Sequence, residues 1–552
     1  MSTSYSYPGI YIQELPLDTH TITPAPTSIT VFVGYTHPWK TTQFNTAIQL
    51  FSFTDYETYF GGLYTSGLIP SDVARAVYAF FLNGGNNAYV VGLQPSAHGT
   101  SSSVQFGNQT DDLCFVGSIV PNTTQPTIGI QLLALQPTDV VPMTAKVANI
   151  RQNASNTYTL FDLVITYGTQ VEVYRSVDIS IAKGAKGSLD QVINSVSALV
   201  TVQPLSGNTY GTVFPSSGST PPAIPAAASF SLTVLGGSGG LPAGFSGSFA
   251  EADFLLPIGS TPGVFQVNSS LDNVPIFNLL LVPGISDNGV LSAALAFAER
   301  KRAFAILDPP AQATASLINN ALPTIDSLWQ SGAFPLSQNG ALYFPYVKTT
   351  DPISGMPMEV APSGYVAGVC ATTDANRGVW KAPAGIGTPL LGTTGPVATG
   401  VMNDMQQGVL NLDSINCLRT FTGSGTVVYG ARTLVAADPA FAQSKYVPVR
   451  RMTLFIEQTL VMNLTWVVFE PNDEPLWLAI KSSIEAFLLS LFNQQALQGS
   501  TPSDAFQVKC DSTTTTPQDQ QNGIVNIVVG VALLKPAEFV VIKIAQLAGQ
   551  TS

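Results

Sequence analysis

Pro275-Ile-Phe-Asn-Leu-Leu-Leu-Val282, with the segment Val290 to Arg302 and the run Ala303-Phe-Ala-Ile-Leu307 after it, decides the fold class. The first run is mostly apolar without strict alternation. That is the pattern of a strand covered on both faces, as in a parallel sheet. Val290 to Arg302 reads as a helix, and Ala303 to Leu307 reads as a second buried strand. Strand, helix and parallel strand make one crossover, expected to be right-handed. Asp308-Pro-Pro, another helix ending near Gln330 and a strand over Ala341–Val347 continue the pattern.

The same alternation occurs near the start of the chain. An apolar strand over Ile29–Tyr35 precedes Thr54-Asp-Tyr-Glu57, which has the spacing of a capping box. The helix it opens should stop at Gly61-Gly62. A second helix, from about Pro70 to Leu82, should stop at Asn83-Gly84-Gly85, and the strand Ala88–Leu93 follows. Between residues 94 and 250 Ser, Thr, Gly, Pro and Val dominate, with strand-like runs at Thr144–Ile150, Thr157–Thr166 and Gln170–Ser176. This stretch reads as a β-rich domain inserted into the α/β core.

Further on, Arg450–Asn463 suits a helix, and a longer one follows Asn472-Asp-Glu-Pro475. Leu476, Trp477, Ile480, Ile484, Phe487, Leu488 and Leu491 form one stripe of that helix, with Lys481 and Glu485 on the other side and Gly499 as its stop. Ile524–Leu534 and Glu538–Gln546 read as closing strands. Tyr7-Pro-Gly-Ile-Tyr-Ile-Gln-Glu14 alternates like a strand with no local partner. The expected architecture is multidomain, α+β / α/β: a discontinuous α/β core with N- and C-terminal β-strand arms and an inserted β-rich domain. Its divisions fall at 1–26 (arm), 27–93 (core), 94–250 (insertion), 251–348 (core), 349–535 (C-terminal domain) and 536–552 (arm).

Composition points to assembly. Only 10% of the 552 residues are charged and 45% are hydrophobic, against about 25% charged in ordinary soluble domains. The longest nearly uncharged apolar run, Ile524 to Leu534, is about half of the roughly 20 residues that cross a bilayer, so direct membrane insertion is not expected. Burial against copies of the same chain accounts for such a surface. A net charge of −12 argues against nucleic-acid binding, which needs a basic stripe. Met1-Ser-Thr-Ser-Tyr5 has no signal-peptide pattern. Cys114, Cys370, Cys417 and Cys510 are scattered without a CxxC pair and read as buried free thiols.

Candidate chemistry fails on order and spacing. Gly236-Gly-Ser238-Gly-Gly240 matches a nucleophile elbow, but His20, His37 and His98 all precede Ser238, the reverse of the hydrolase order. The histidines sit in loop-like contexts without metal-ligand spacing, and no phosphate-binding loop occurs. Asp308 at a strand end reads as the cap of the following turn. Glu470, Asp473 and Glu474 read as acids at a helix start. No enzyme activity, cofactor or metal is expected.

Unpaired strands at both ends are templates for β-strand addition. At this point the chain resembles contractile phage tail sheath proteins. The resemblance rests on Tyr7–Glu14, Pro26-Thr-Ser-Ile-Thr-Val-Phe-Val-Gly34, Phe60-Gly-Gly62, Phe80-Phe-Leu-Asn-Gly-Gly85, Pro362-Ser-Gly-Tyr-Val-Ala-Gly368, Asp374–Gly385, Leu410–Asn416, Gly430-Ala-Arg-Thr-Leu434, Val449-Arg-Arg451, Phe469-Glu-Pro-Asn-Asp473 and Pro536-Ala-Glu-Phe539. It spans residues 1–93 and 253–546. It implies a subunit that stacks with copies of itself in hexameric rings around an inner tube, between a baseplate and a terminal cap. Such a sheath contracts to drive the tube through a target envelope. It would be assembled in the producing cell's cytoplasm as part of a phage tail or injection particle.

By the same resemblance Ile10, Tyr11, Ile12, Glu14, Phe539, Val540, Val541, Ile542 and Ile544 are inter-subunit arm candidates, and Asp473, Lys481 and Glu485 are inner-tube contact candidates. A static tube or shell, and a surface-binding module carried on the insertion, stay open as alternatives.

Overall fold

The computed structural model describes residues 20–37, 40–66, 70–93, 116–119, 130–137, 140–141, 143–204, 207–211, 227–228, 233–234, 250–257, 259–311, 324–397 and 402–544. The chain divides into two compact units, Pro26–Arg451 and Met1–Ala25 with Met452–Ser552.

The larger unit is built on an eight-stranded sheet. From one edge its strands run Gly425–Val428, Ile415–Phe421, Gly340–Phe344, Phe304–Leu307, Leu279–Leu281, Thr30–Tyr35, Ala88–Leu93 and Ala47–Leu50. The six inner strands are parallel, while each edge strand is antiparallel to its neighbour. All residues of Thr30–Tyr35, Leu279–Leu281, Phe304–Leu307 and Gly340–Phe344 are buried, as expected of strands covered on both faces. The crossover read from Pro275–Leu307 is present, with its helix at Asn288–Arg300 and Asp287 as the N-cap. The run Pro275–Val282 yields only three strand residues, Leu279–Leu281, and just before them the Asn278 side chain accepts from Ile29 N–H and donates to Pro26 O.

Two expectations of local structure are corrected. The capping box of helix Phe53–Phe60 is Ser52 with Asp55, not Thr54 with Glu57. Asp55 Oδ2 reaches both the Phe51 and Ser52 N–H groups, which fixes the start two residues earlier. Residues 349–451 pack with the core, not with the C-terminal part, because Ile415–Phe421 pairs in register with Gly340–Phe344.

Helix Asp72–Leu82 packs on helix Ser363–Arg377 through glycines one turn apart. A Cβ on Gly364 would lie 2.4 Å from Ala76 O, and one on Gly368 would lie 2.5 Å from Asn83 Cβ. The first clash is with backbone and cannot be relieved by a rotamer change. Gly364→Ala is therefore expected to destabilise the unit by about 1–3 kcal/mol, read as a lowered midpoint in urea unfolding. A midpoint equal to the parent's would show that the helices can separate freely.

The insertion has two four-stranded sheets. One orders Ala227–Ala228, Met143–Gln152, Tyr158–Tyr167 and Gln170–Asp178; the other orders Thr233–Val234, Val116–Ile119, Ile130–Ala134 and Val200–Pro204. Residues from both sheets, among them Leu132, Val147, Phe161, Leu163, Ile165 and Val202, share one core. Among the described residues, contacts at three places fasten it to the α/β core. Thr169 N–H donates to Ile353 O (2.7 Å), and Ile353 itself packs in the insertion's core. Lys40 Nζ donates to Ala198 O (2.9 Å). His37 is buried and meets Gln136 Oε1 at 3.1 Å. Because His37 Nδ1 accepts from Lys40 N–H, the proton sits on Nε2 and donates to Gln136. Burial pushes His37 down to about 3, so the ring is a neutral wedge rather than the loop histidine its sequence context suggests.

In the smaller unit, residues 20–25 lie along the end of helix Val447–Asn463. Ala25 N–H donates to Thr459 Oγ1, Asn463 exchanges hydrogen bonds with Thr23 N–H and O, and His20 stacks on Trp466 at 3.8 Å. Helix Glu474–Asn493 buries Leu476, Trp477, Ile480, Ile484, Phe487, Leu488 and Leu491, the seven residues of the sequence stripe. It ends at Asn493, six residues before the expected Gly499 stop, with Gln495 taking the positive φ. This helix is also long and apolar enough to cross a membrane by length and composition, contrary to the expectation from uncharged runs. Lys481 and Glu485 break the run without lowering its mean much. Its one-sided burial is the pattern of an amphipathic core helix.

Candidate assembly surfaces

Strand order reverses between Thr30–Tyr35 and Leu279–Leu281, the place where open α/β sheets receive ligands. Here the crevice, lined by Gly34, Tyr35, Asp72, Phe254, Pro283 and Ile285 among others, keeps about 10 Å³, the size of one water. It is filled from the chain itself. Tyr35 Oη donates to Asp253 Oδ2 (2.7 Å) and accepts from Ala250 N–H (3.1 Å), while Phe254 meets the Tyr35 ring edge-on at 5.7 Å.

Asp308, at the end of the neighbouring strand, holds a helix start rather than the following turn. Its Oδ1 accepts from Ser363 N–H (2.8 Å), and its Oδ2 accepts from Ser363 Oγ (2.6 Å) and Gly284 N–H (3.0 Å). It therefore caps helix Ser363–Arg377 from another element, with a structural role. Among the described residues no group of three His, Cys, Asp or Glu side chains is placed to hold a metal.

Burial pushes the Asp308 carboxyl up to about 7, against the pull of its hydrogen bonds. A carboxyl whose folded value is raised binds a proton in the folded state that the unfolded chain has already lost. The linked stability is fully present below about pH 4 and is lost as pH rises through about 7. Stability should thus fall from pH 5 to pH 8 by on the order of 1 kcal/mol or more from this group. Asp308→Asn should flatten that slope in thermal scans across the range. A slope unchanged by the substitution would remove Asp308 as its source.

The smaller unit carries a continuous run of exposed apolar residues near its end. Phe539, Val540, Val541, Ile542 and Ile544 are 73–92% exposed. Residues 535–544 belong to no strand or helix. This corrects the expected closing strand: the alternation is present, but none of the described residues supplies a ladder partner. Ile10, Tyr11, Ile12 and Glu14 lie outside the described residues.

Phe506–Lys509 and Val528–Val531 form a two-stranded antiparallel sheet, an arrangement marginal without further strands. The closing strand is shorter than the Ile524–Leu534 run, and Val528 is 54% exposed. Asp473 is the N-cap of helix Glu474–Asn493, accepting from Leu476 N–H. Lys481 and Glu485 are half-exposed one turn apart at 3.9 Å, with Leu478 68% exposed on the same helix. The structure thus brings Lys481 and Glu485 together and gives Asp473 a structural task. Cys370, Cys417 and Cys510 are buried free thiols; Cys114 lies outside the described residues.

Residues 269–434 match the family described as phage tail sheath protein central domain. This central part of the chain is similar to contractile tail sheath proteins. The tail sheath protein of Vibrio phage KVP40 is 27% identical over 194 residues, 35% of this chain and 27% of that protein. The matched stretch thus spans about a quarter of the curated relative's length.

Solved structures share the fold along nearly the whole chain. The sheath of the extracellular contractile injection system PVC in its contracted state has a TM-score of 0.54 at 21% identity, covering 99% of each chain. The contracted helical sheath of the anti-feeding prophage gives 0.52 at 21% identity, covering 98% of this chain and 100% of that one. The sheath tail protein of Desulfitobacterium hafniense gives 0.51 at 12% identity, covering 95% and 100%. A central segment similar to the sheath domain, a fold shared with sheath structures and an exposed apolar tail thus occur in one chain.

Proposed function

We propose that this chain is the sheath subunit of a contractile phage tail or injection particle. Copies polymerise helically, in hexameric rings, around an inner tube between a baseplate and a cap. Contraction of that lattice drives the tube through a target envelope, and the particle is assembled in the producing cell's cytoplasm.

The observation that carries this reading is that one unit holds both an exposed apolar tail outside every described strand and a sheet of only two described strands. A tail from one copy can complete the sheet of another by strand addition. Each backbone hydrogen bond so formed contributes about 0.5–1.5 kcal/mol net, and the link survives while the folded bodies shift. A small difference per subunit between two lattices then sums over the polymer.

Tyr11, Ile12 and their neighbours serve as the second arm. The outer face of helix Glu474–Asn493, with Lys481 and Glu485, faces the tube. The insertion, fastened to the core at three places, moves with it as one piece.

The test is electron microscopy of the purified full chain mixed with the tube protein of its own particle. Hollow cylinders enclosing the tube are expected. A chain that stays dispersed beside bare tubes overturns the reading.

A further inference from the structure

Phe469 lies in the turn between helices Val447–Asn463 and Glu474–Asn493 and is fully exposed, at 102%. Its backbone sits at φ +73°, a region that bulky side chains avoid because Cβ crowds the adjacent carbonyl. Val468 beside it is 62% exposed. A strained, fully exposed aromatic contributes little packing within the chain, and such strain gathers where a partner binds.

The charge around it has one sign. From Met452 to Ile480 the charged residues are Glu457, Glu470, Asp473 and Glu474, with no lysine or arginine, and the last three are exposed. Asn472 joins this turn to the chain that leads into the open strand Val528–Val531. Its Nδ2 donates to Ile524 O at 3.0 Å, and its carbonyl accepts from Gln520 Nε2 at 3.1 Å. Ile524 is itself 45% exposed. The turn therefore adjoins the segment that enters this strand, four residues before Val528.

The complementary surface is on the same chain. The tail Phe539-Val-Val-Ile-Lys-Ile544 is mostly apolar and exposed; Lys535 precedes it and Lys543 lies within it, half of the four lysines that follow Met452. We propose that the Phe469 turn is the seat for the C-terminal tail of a second copy of this chain. Phe469 and Val468 pack on the tail's apolar side chains, and Lys543 faces Glu470, Asp473 and Glu474.

Residues 536–544 extended span about 30 Å at roughly 3.3 Å per residue. That length is enough to run antiparallel along the chain from Val531 back to Ile524 and bring the Lys543 end to the acidic turn. The seat thus gives strand addition a direction. Because seat and tail are different patches, each copy's tail fills the next copy's seat. The contact repeats head to tail without closing on a pair.

The proposal rests on the arm reading above, and its test separates the two. The readout is the fraction of full-length chain recovered in particles from the producing cells, beside the thermal midpoint of the purified variant. Phe469→Gly should keep or raise the midpoint, since glycine takes this φ without strain, while lowering the particle fraction at least tenfold. Glu470→Lys and Lys543→Glu should each lower it at least threefold, and the two together should restore it.

A Phe469→Gly variant that assembles like the parent, or that loses midpoint and assembly together, overturns the seat. So does a charge pair whose double exchange recovers nothing. If removal of residues 537–552 leaves assembly intact, the arm reading itself falls. If that removal abolishes assembly while the Phe469 and charge variants behave like the parent, the arms stand and only the seat falls.

Discussion

Asp374→Ala is expected to destabilise the larger unit by about 3–5 kcal/mol, the cost of leaving a buried charge without its counter-charge. Arg451 Nη2 and Nη1 donate to Asp374 Oδ2 and Oδ1 at 2.5 and 3.0 Å, with side chains 3% and 2% exposed. Burial pushes the Asp374 carboxyl up, and the guanidinium opposes that shift. Arg451 Nη2 also donates to Thr27 O at 3.0 Å, so one guanidinium ties helix Ser363–Arg377 to the chain entering the first core strand. Removing only the carboxylate keeps the desolvation cost and forfeits the attraction. Urea unfolding of the purified variant measures the loss; a change under about 1 kcal/mol would mean that water reaches Arg451 and the pair carries little.

The second large effect is on assembly rather than on folding. Removing residues 537–552 should abolish long polymers while leaving the unfolding midpoint of the chain within about 1 °C of the parent. Phe539, Val540, Val541, Ile542 and Ile544 contribute almost no burial within the chain, so their loss removes little apolar stabilisation at about 25 cal/mol per Å². Sedimentation velocity and electron microscopy read the two halves of this expectation. Polymers of normal length from the shortened chain would contradict the role of the tail.

Much of the fold was legible because it rests on local pattern. Ala88–Leu93, the crossover from Leu279 to Leu307 and the seven-residue stripe of Glu474–Asn493 follow from apolar periodicity alone. Strands at Met143–Gln152, Tyr158–Tyr167 and Gln170–Asp178 were visible because they are long and paired as neighbours. Ile130–Ala134 and Val200–Pro204 were missed, being short and paired across 70 residues with no turn between them to signal it.

The polar interior was not legible for a related reason. Asp308 finds Ser363 at a separation of 55 residues, and Asp374 finds Arg451 at 77. Nothing local distinguishes Arg451 from its less buried neighbour Arg450. His37 reads as a loop residue until Gln136 and Lys40 close around it. Of the assembly surfaces, the tail's alternation was visible and its lack of a ladder was not, because pairing is a property of two chains. Phe469 gave a family motif but no hint of its positive φ.

The most direct test of the account is cryo-electron microscopy of the natural particle before and after triggering. Two helical lattices of this subunit around an unchanged tube are expected, the second shorter and wider, with the tail of each copy paired to a neighbour in both. A single lattice with the same subunit spacing before and after triggering would contradict contraction and leave a static shell.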